Sequence, residues 1–137
     1  MDFRSEGEID HFLNGFATGS LPRYCWTHAA HIAMAAARLY HEDETTVDNI
    51  RQDIRRYNSS QGVANTSKSG YHETLTMFWA NEVRRHLAQT QAATRLDAVR
   101  GALEALARDS SLPRRRYSFD VFTSVDARAR WIPPDIG

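Results

Sequence analysis

An all-α fold is predicted: a single-domain bundle of four to five helices with an irregular C-terminal tail packed on it. Three observations point there. Apolar residues recur at three- and four-residue spacing in five separate stretches. A Ser or Thr precedes several of them where a cap belongs, and no stretch alternates in the way a half-buried strand does.

The first helix is expected over roughly 6–16. Ser5 and Glu8 form a capping box, and Ile9, Phe12, Leu13 and Phe16 follow at helical spacing. Gly15, Gly19 and Pro22 then break the pattern. The second helix, roughly 27–41, opens on Thr27 as N-cap. At about 100° per residue, His28, Ile32, Ala35 and Leu39 share one stripe, with His31 about 60° to its side. Alanines at 29, 30, 33, 35, 36 and 37 let a neighbour approach closely, so this helix is expected at the centre. Thr45 or Thr46 caps the third, whose buried face is Val47, Ile50, Ile54 and Tyr57. Arg51, Arg55 and Arg56 fall mostly on other faces, and Gly62 is the stop.

Gln61 to Gly70 is polar and rich in Gly, Ser, Thr and Asn, which reads as a loop. A fourth helix, roughly 71–88 and capped by Ser69, buries Leu75, Phe78, Trp79 and Val83. A fifth, roughly 92–108, buries Leu96, Val99, Leu103 and Leu106. From about 110 the chain changes character. Arg114-Arg115-Arg116 precedes Tyr117, Phe119, Val121 and Phe122, and Trp131-Ile132-Pro133-Pro134 follows. This is expected to wrap back onto the bundle, with Ser124 opening a short helix.

Composition narrows the function. A chain of 137 residues holds one domain with a real core. Its 17 basic and 17 acidic residues cancel, which argues against a dedicated nucleic-acid binder. Arg114–Arg116 reads as a solvated charge run. The single cysteine, Cys25, excludes an intramolecular disulfide and lacks a context that would make it a nucleophile. The N-terminus is polar and no apolar run reaches membrane-spanning length, so a cytoplasmic protein with no membrane partner is expected. The alanine-rich second helix can pack between chains as well as within one, which leaves a homo-oligomer open.

Three of the six histidines carry the functional expectation. His28 and His31 are three residues apart on one helix face, and His72 is projected onto the buried face of the fourth helix. Imidazoles in this arrangement suit a divalent transition metal such as Zn, Fe, Ni or Cu, with one coordination position left open. Such an ion lowers the pKa of a bound water toward about 7. Glu73, about 100° from His72, is expected to handle protons beside the metal rather than bind it, with Tyr71 as a second catalytic group. Trp26, Tyr57 and Asn58 are expected to contact a small-molecule substrate. Each residue also has an ordinary structural use: histidines in a core, loop caps, a hydrophobic staple. A competing site pairs Glu82 with His86, four residues apart, in a His/carboxylate set of non-haem iron type. His11, His41 and Glu42 are expected at the surface.

The strings Trp26-Thr27-His28-Ala29-Ala30-His31, Arg56-Tyr57-Asn58, Gly70-Tyr71-His72-Glu73-Thr74 and Trp131-Ile132-Pro133-Pro134-Asp135 resemble a family of small bacterial helical proteins. The likeness runs from about residue 20 to the end. It implies one helical unit and brings no substrate or reaction with it. The arrangement is more loosely similar to the three-histidine metal sites of DinB-like four-helix proteins, an analogy of architecture. The resulting expectation is a metal-dependent hydrolase or lyase acting on a small molecule. The alternatives are an oxygen-using enzyme with non-haem iron or copper, and a non-catalytic helical module that binds a ligand or partner.

Overall fold

The computed structural model describes residues 1–137. Its regular elements are all helical: α1 (Glu6–Thr18), α2 (His28–Leu39), α3 (Thr46–Ser60), α4 (Glu73–Thr90), α5 (Arg95–Leu106) and α6 (Val125–Ala129). Single 3-10 turns lie at Arg23–Cys25 and Leu112–Arg115. The all-α bundle expected from the sequence is what forms, and α6 is the short tail helix that Ser124 opens. No helix is long and apolar enough to cross a membrane.

The caps show why the helices start where they do. Each orphan amide of a first turn needs an acceptor. Ser5 Oγ accepts from Glu8 N at 3.1 Å, Thr27 Oγ1 from Ala30 N at 3.2 Å, and Thr94 Oγ1 from Asp97 N at 3.1 Å. α2 occupies the middle and packs on α5, α4 and α3. Ala30, Ala33, Ala36 and Ala37 are all buried there, and their small side chains let the neighbouring helix backbones come close.

The start of α4 differs from expectation, and the difference matters for function. The N-cap is His72, in extended conformation (φ −131°, ψ 107°), and the first helical residue is Glu73. The His72 ring supplies the cap: Nδ1 accepts from Leu75 N at 3.1 Å. Ser69 is used elsewhere. Its hydroxyl donates to Ala64 O at 2.8 Å, closing the preceding loop on itself. Gly70 then turns the chain at φ 75°, where a Cβ would lie 2.5 Å from Ala64 O, so only glycine fits. Asn65 completes the loop by accepting from Tyr71 N at 2.9 Å and donating to Arg55 O at 3.0 Å.

The tail builds a second, smaller core on α4. Phe78 packs with Tyr117, Val121 and Ala127. Thr74, which has no solvent exposure, ties the tail to α4. Thr74 Oγ1 donates to Arg130 O at 2.7 Å and accepts from Ile132 N at 3.0 Å. Thr74→Val keeps the shape but strips both backbone groups of their partner. It is expected to cost about 2 kcal/mol in urea unfolding, while Thr74→Ser costs less. Equal stability of wild type and Thr74→Val would show that the strap contributes nothing.

Candidate functional site

Two adjoining clefts open between α2, α3 and α4. One, of about 310 Å³, is mostly apolar, with Met34, Ile50, Leu75, Trp79 and Phe122 on its walls. The other, of about 340 Å³, is more polar and is bordered by Arg23, Trp26, Asn58, Tyr71 and His72. His31, Ile54 and Thr76 border both, and His28 borders the apolar one. The volumes suit a small organic ligand. A larger cleft of about 550 Å³ runs along α1 and holds none of the residues expected to bind metal or substrate or to move protons.

Of those residues, the crevice gathers Trp26, His28, His31, Asn58, Tyr71 and His72. Tyr57 and Glu73 do not border it. Tyr57 is a core residue: its hydroxyl donates to Leu21 O at 2.6 Å, and its ring lies 5.3 Å from Phe16 and 5.2 Å from Trp26.

The hydrogen bonds fix one protonated nitrogen on each imidazole, because a carbonyl can only accept. His31 Nδ1–H donates to Thr27 O at 2.8 Å, so Nε2 is the bare nitrogen. Burial pulls the His31 pKa down to about 4; the Thr27 carbonyl opposes the shift and the neighbouring His28 adds to it. The ring is therefore neutral at pH 7. It lies against the Trp26 indole, 3.9 Å between centroids. The only buried side-chain nitrogen or oxygen without a partner is His86 Nε2, so the unpartnered His31 Nε2 is open to the crevice. His28 Nε2–H donates to Leu106 O at 3.0 Å and its ring packs 4.5 Å from Trp79. Its Nδ1 makes no hydrogen bond within the protein.

His72 is different. Nδ1 accepts the cap bond from Leu75 N, and Nε2–H donates to Val121 O at 2.9 Å. Both ring nitrogens are consumed, and burial holds the pKa below the ordinary histidine value. No group of three or more His, Cys, Asp or Glu side chains is placed to hold a metal ion. The expected set of His28, His31 and His72 thus does not assemble, and the residues as placed do not fit a three-histidine metal. The physical reason is the late start of α4. His72 lies before the helix, so projecting it onto a helical face gave it the wrong direction.

Glu73 is also committed. Its carboxylate accepts from Arg51 Nε at 3.0 Å, Arg51 Nη2 at 2.8 Å and the Tyr71 hydroxyl at 2.6 Å. Burial alone would raise its pKa, but Arg51 and Tyr71 hold it below the usual glutamate value. A carboxylate so satisfied is a poor proton acceptor. Tyr71 is no better as an acid, since burial and the bond to Glu73 drive its pKa far up. The Arg55 guanidinium covers its ring at 4.2 Å. Glu73, Tyr71 and Arg51 tie α3 to the start of α4. The competing pair does not form either: Glu82 Oε1 accepts from Arg85 at 2.8 Å. His86 faces Gly101 of α5, where a Cβ would lie 3.3 Å from its Nε2.

Three residues of this region were not foreseen. Thr76 lies between the two clefts, Arg23 sits on the 3-10 turn, and Arg51 reaches Glu73 across 22 residues. Comparison with protein-family models, with curated proteins and with solved structures gave no match.

Proposed function

We propose that the protein binds a small, partly apolar organic molecule in the crevice between α2, α3 and α4, with His31 Nε2 accepting a hydrogen bond from it. One observation carries this reading: a neutral imidazole with its tautomer fixed by Thr27 presents a bare nitrogen where an apolar cleft meets a polar one. Apolar walls with a few placed polar groups are the usual make-up of a ligand site. A pKa of about 4 makes His31 a weak base near neutral pH, so orientation of a ligand donor suits it better than proton abstraction.

Long-range proton–nitrogen NMR tests the reading. At pH 7, His31 is expected as the Nδ1–H tautomer, with Nε2 unprotonated. A panel of small aryl and alkyl acids, alcohols and amides is expected to contain members that shift His31 Nε2 and the Trp79 ring together, and His31→Ala to weaken them. A protonated Nε2, or a panel that perturbs neither residue, would defeat the proposal.

Of the metal-dependent readings, one keeps a basis. His31 Nε2 is bare, His28 Nδ1 has no partner within the protein, and both rings border the apolar cleft; imidazole nitrogens are donors that transition metals accept. On that reading zinc binding depends on His28 and His31 and is insensitive to His72→Asn, which calorimetry on untagged protein reads directly.

A further inference from the structure

The crevice is almost free of ionised groups. Neither cleft is bordered by a carboxylate, and the one permanently charged residue on either is Arg23. The arginine takes part in none of the ion pairs of the molecule. Its place is set by the 3-10 turn, where Arg23 O accepts from Trp26 N at 3.0 Å. It lies close enough to Tyr57 to counter, in part, the burial that raises that phenol's pKa.

Trp26, the end of the same turn, adds a second donor. Its ring is held against Phe16, 4.5 Å between centroids, and against His31. Its indole N–H has no acceptor in the protein and is not among the buried orphans. The polar cleft thus offers two free donors, one of them cationic. The junction offers one free acceptor, His31 Nε2. The apolar cleft offers Trp79, Phe122 and Leu75.

Complementarity then specifies the ligand. Resting on the ligand-binding reading above, we propose that the crevice takes an amphipathic monoanion: a carboxylate at Arg23 and Trp26, a hydroxyl or N–H at His31, and an aryl or branched alkyl group in the apolar cleft. A neutral, carboxylate-free pocket with one unpaired guanidinium favours a single negative charge, because a charge-assisted bond to Arg is worth roughly twice a neutral one.

The test uses three probes on the full chain by isothermal titration calorimetry: 3-phenyllactate, its neutral amide, and lactate. The carboxylate is expected to bind about tenfold more tightly than the amide, and lactate, lacking the aryl group, far more weakly than either. In Arg23→Gln the ratio of carboxylate to amide affinity is expected to fall to near one. Arg23 is exposed, so folding of the variant is not at stake. If the amide binds as well as the carboxylate, the charge assignment is overturned while the ligand-binding reading stands. If Arg23→Gln keeps the preference, Arg23 is not the anion site and the proposal is again overturned. If neither aryl probe binds, the inference and the reading beneath it fall together.

Discussion

His72→Ala is expected to destabilise the protein by about 3 kcal/mol even when all metal is removed by chelation. Two losses add. The α4 first turn loses its cap, worth about 1 kcal/mol, and Val121 O, on a buried residue of the small core, loses its only side-chain donor, worth about 1–3 kcal/mol. His72→Asn separates them. Asparagine is a good N-cap but too short to reach Val121, so it should recover about 1 kcal/mol of the loss. Urea midpoints in EDTA measure both variants. A residue whose work is metal ligation predicts the opposite result, because removing it from the metal-free protein would leave stability unchanged. An unchanged midpoint for His72→Ala would therefore restore His72 as a candidate ligand.

Acid is expected to weaken the fold between pH 6.5 and pH 4, with His31 the leading contributor in the upper part of that window. An unfolded histidine titrates near 6.5, while His31 in the fold titrates at about 4. The native state therefore favours the neutral ring. Above pH 6.5 its stabilising effect is complete. As pH falls below that value the unfolded chain takes up a proton that the native chain refuses, and stability drops until the native ring is protonated too. The shift corresponds to about 3 kcal/mol, and the partial solvent contact of the ring brings the expected loss to about 2–3 kcal/mol. His72, whose pKa is also lowered by burial, acts in the same direction. Glu73 is held below its usual range and Asp109 sits at about 2 through its bonds to Ser111 and Arg115, so both add to the loss only toward the lower end of the window, as the unfolded carboxylates take up protons. Thermal midpoints at pH 7.0 and 4.5 test it: wild type should lose stability and His31→Gln should lose much less. Identical slopes for the two would remove His31 from the explanation.

The bundle was legible in the sequence because its signals are local. Ser5, Thr27 and Ser124 each sit three residues before the amide they cap, and the buried faces of α1, α3 and α5 repeat within a few turns; the Thr94 cap, which starts α5 at Arg95, was not read. α4 was legible in its interior but not at its start. Ser69 matches the usual cap chemistry and His72 does not, yet the loop uses the Ser69 hydroxyl to bind Ala64 O. That displacement removed the helical geometry on which the three-histidine set depended. Trp26, His28, His31, Asn58 and Tyr71 all lie on the wall of one crevice. Their roles were not legible. What commits Glu73 is Arg51, 22 residues away, and what commits His72 is Val121, 49 residues away. No periodicity in a single sequence reports such pairings.

The two nitrogens of His72 also operate at different distances along the chain. The cap to Leu75 spans three residues, and the bond to Val121 spans 49. Closing the longer loop costs more chain entropy and forms more slowly than a contact within one turn. During refolding, α4 can nucleate on its own cap while the segment bearing Val121 and Phe122 is still free. Phe122 supplies a wall of the apolar cleft. The bond that closes this 49-residue separation therefore also fixes the neighbouring Phe122 wall, so a variant that loses it is expected to loosen the cleft along with the tail.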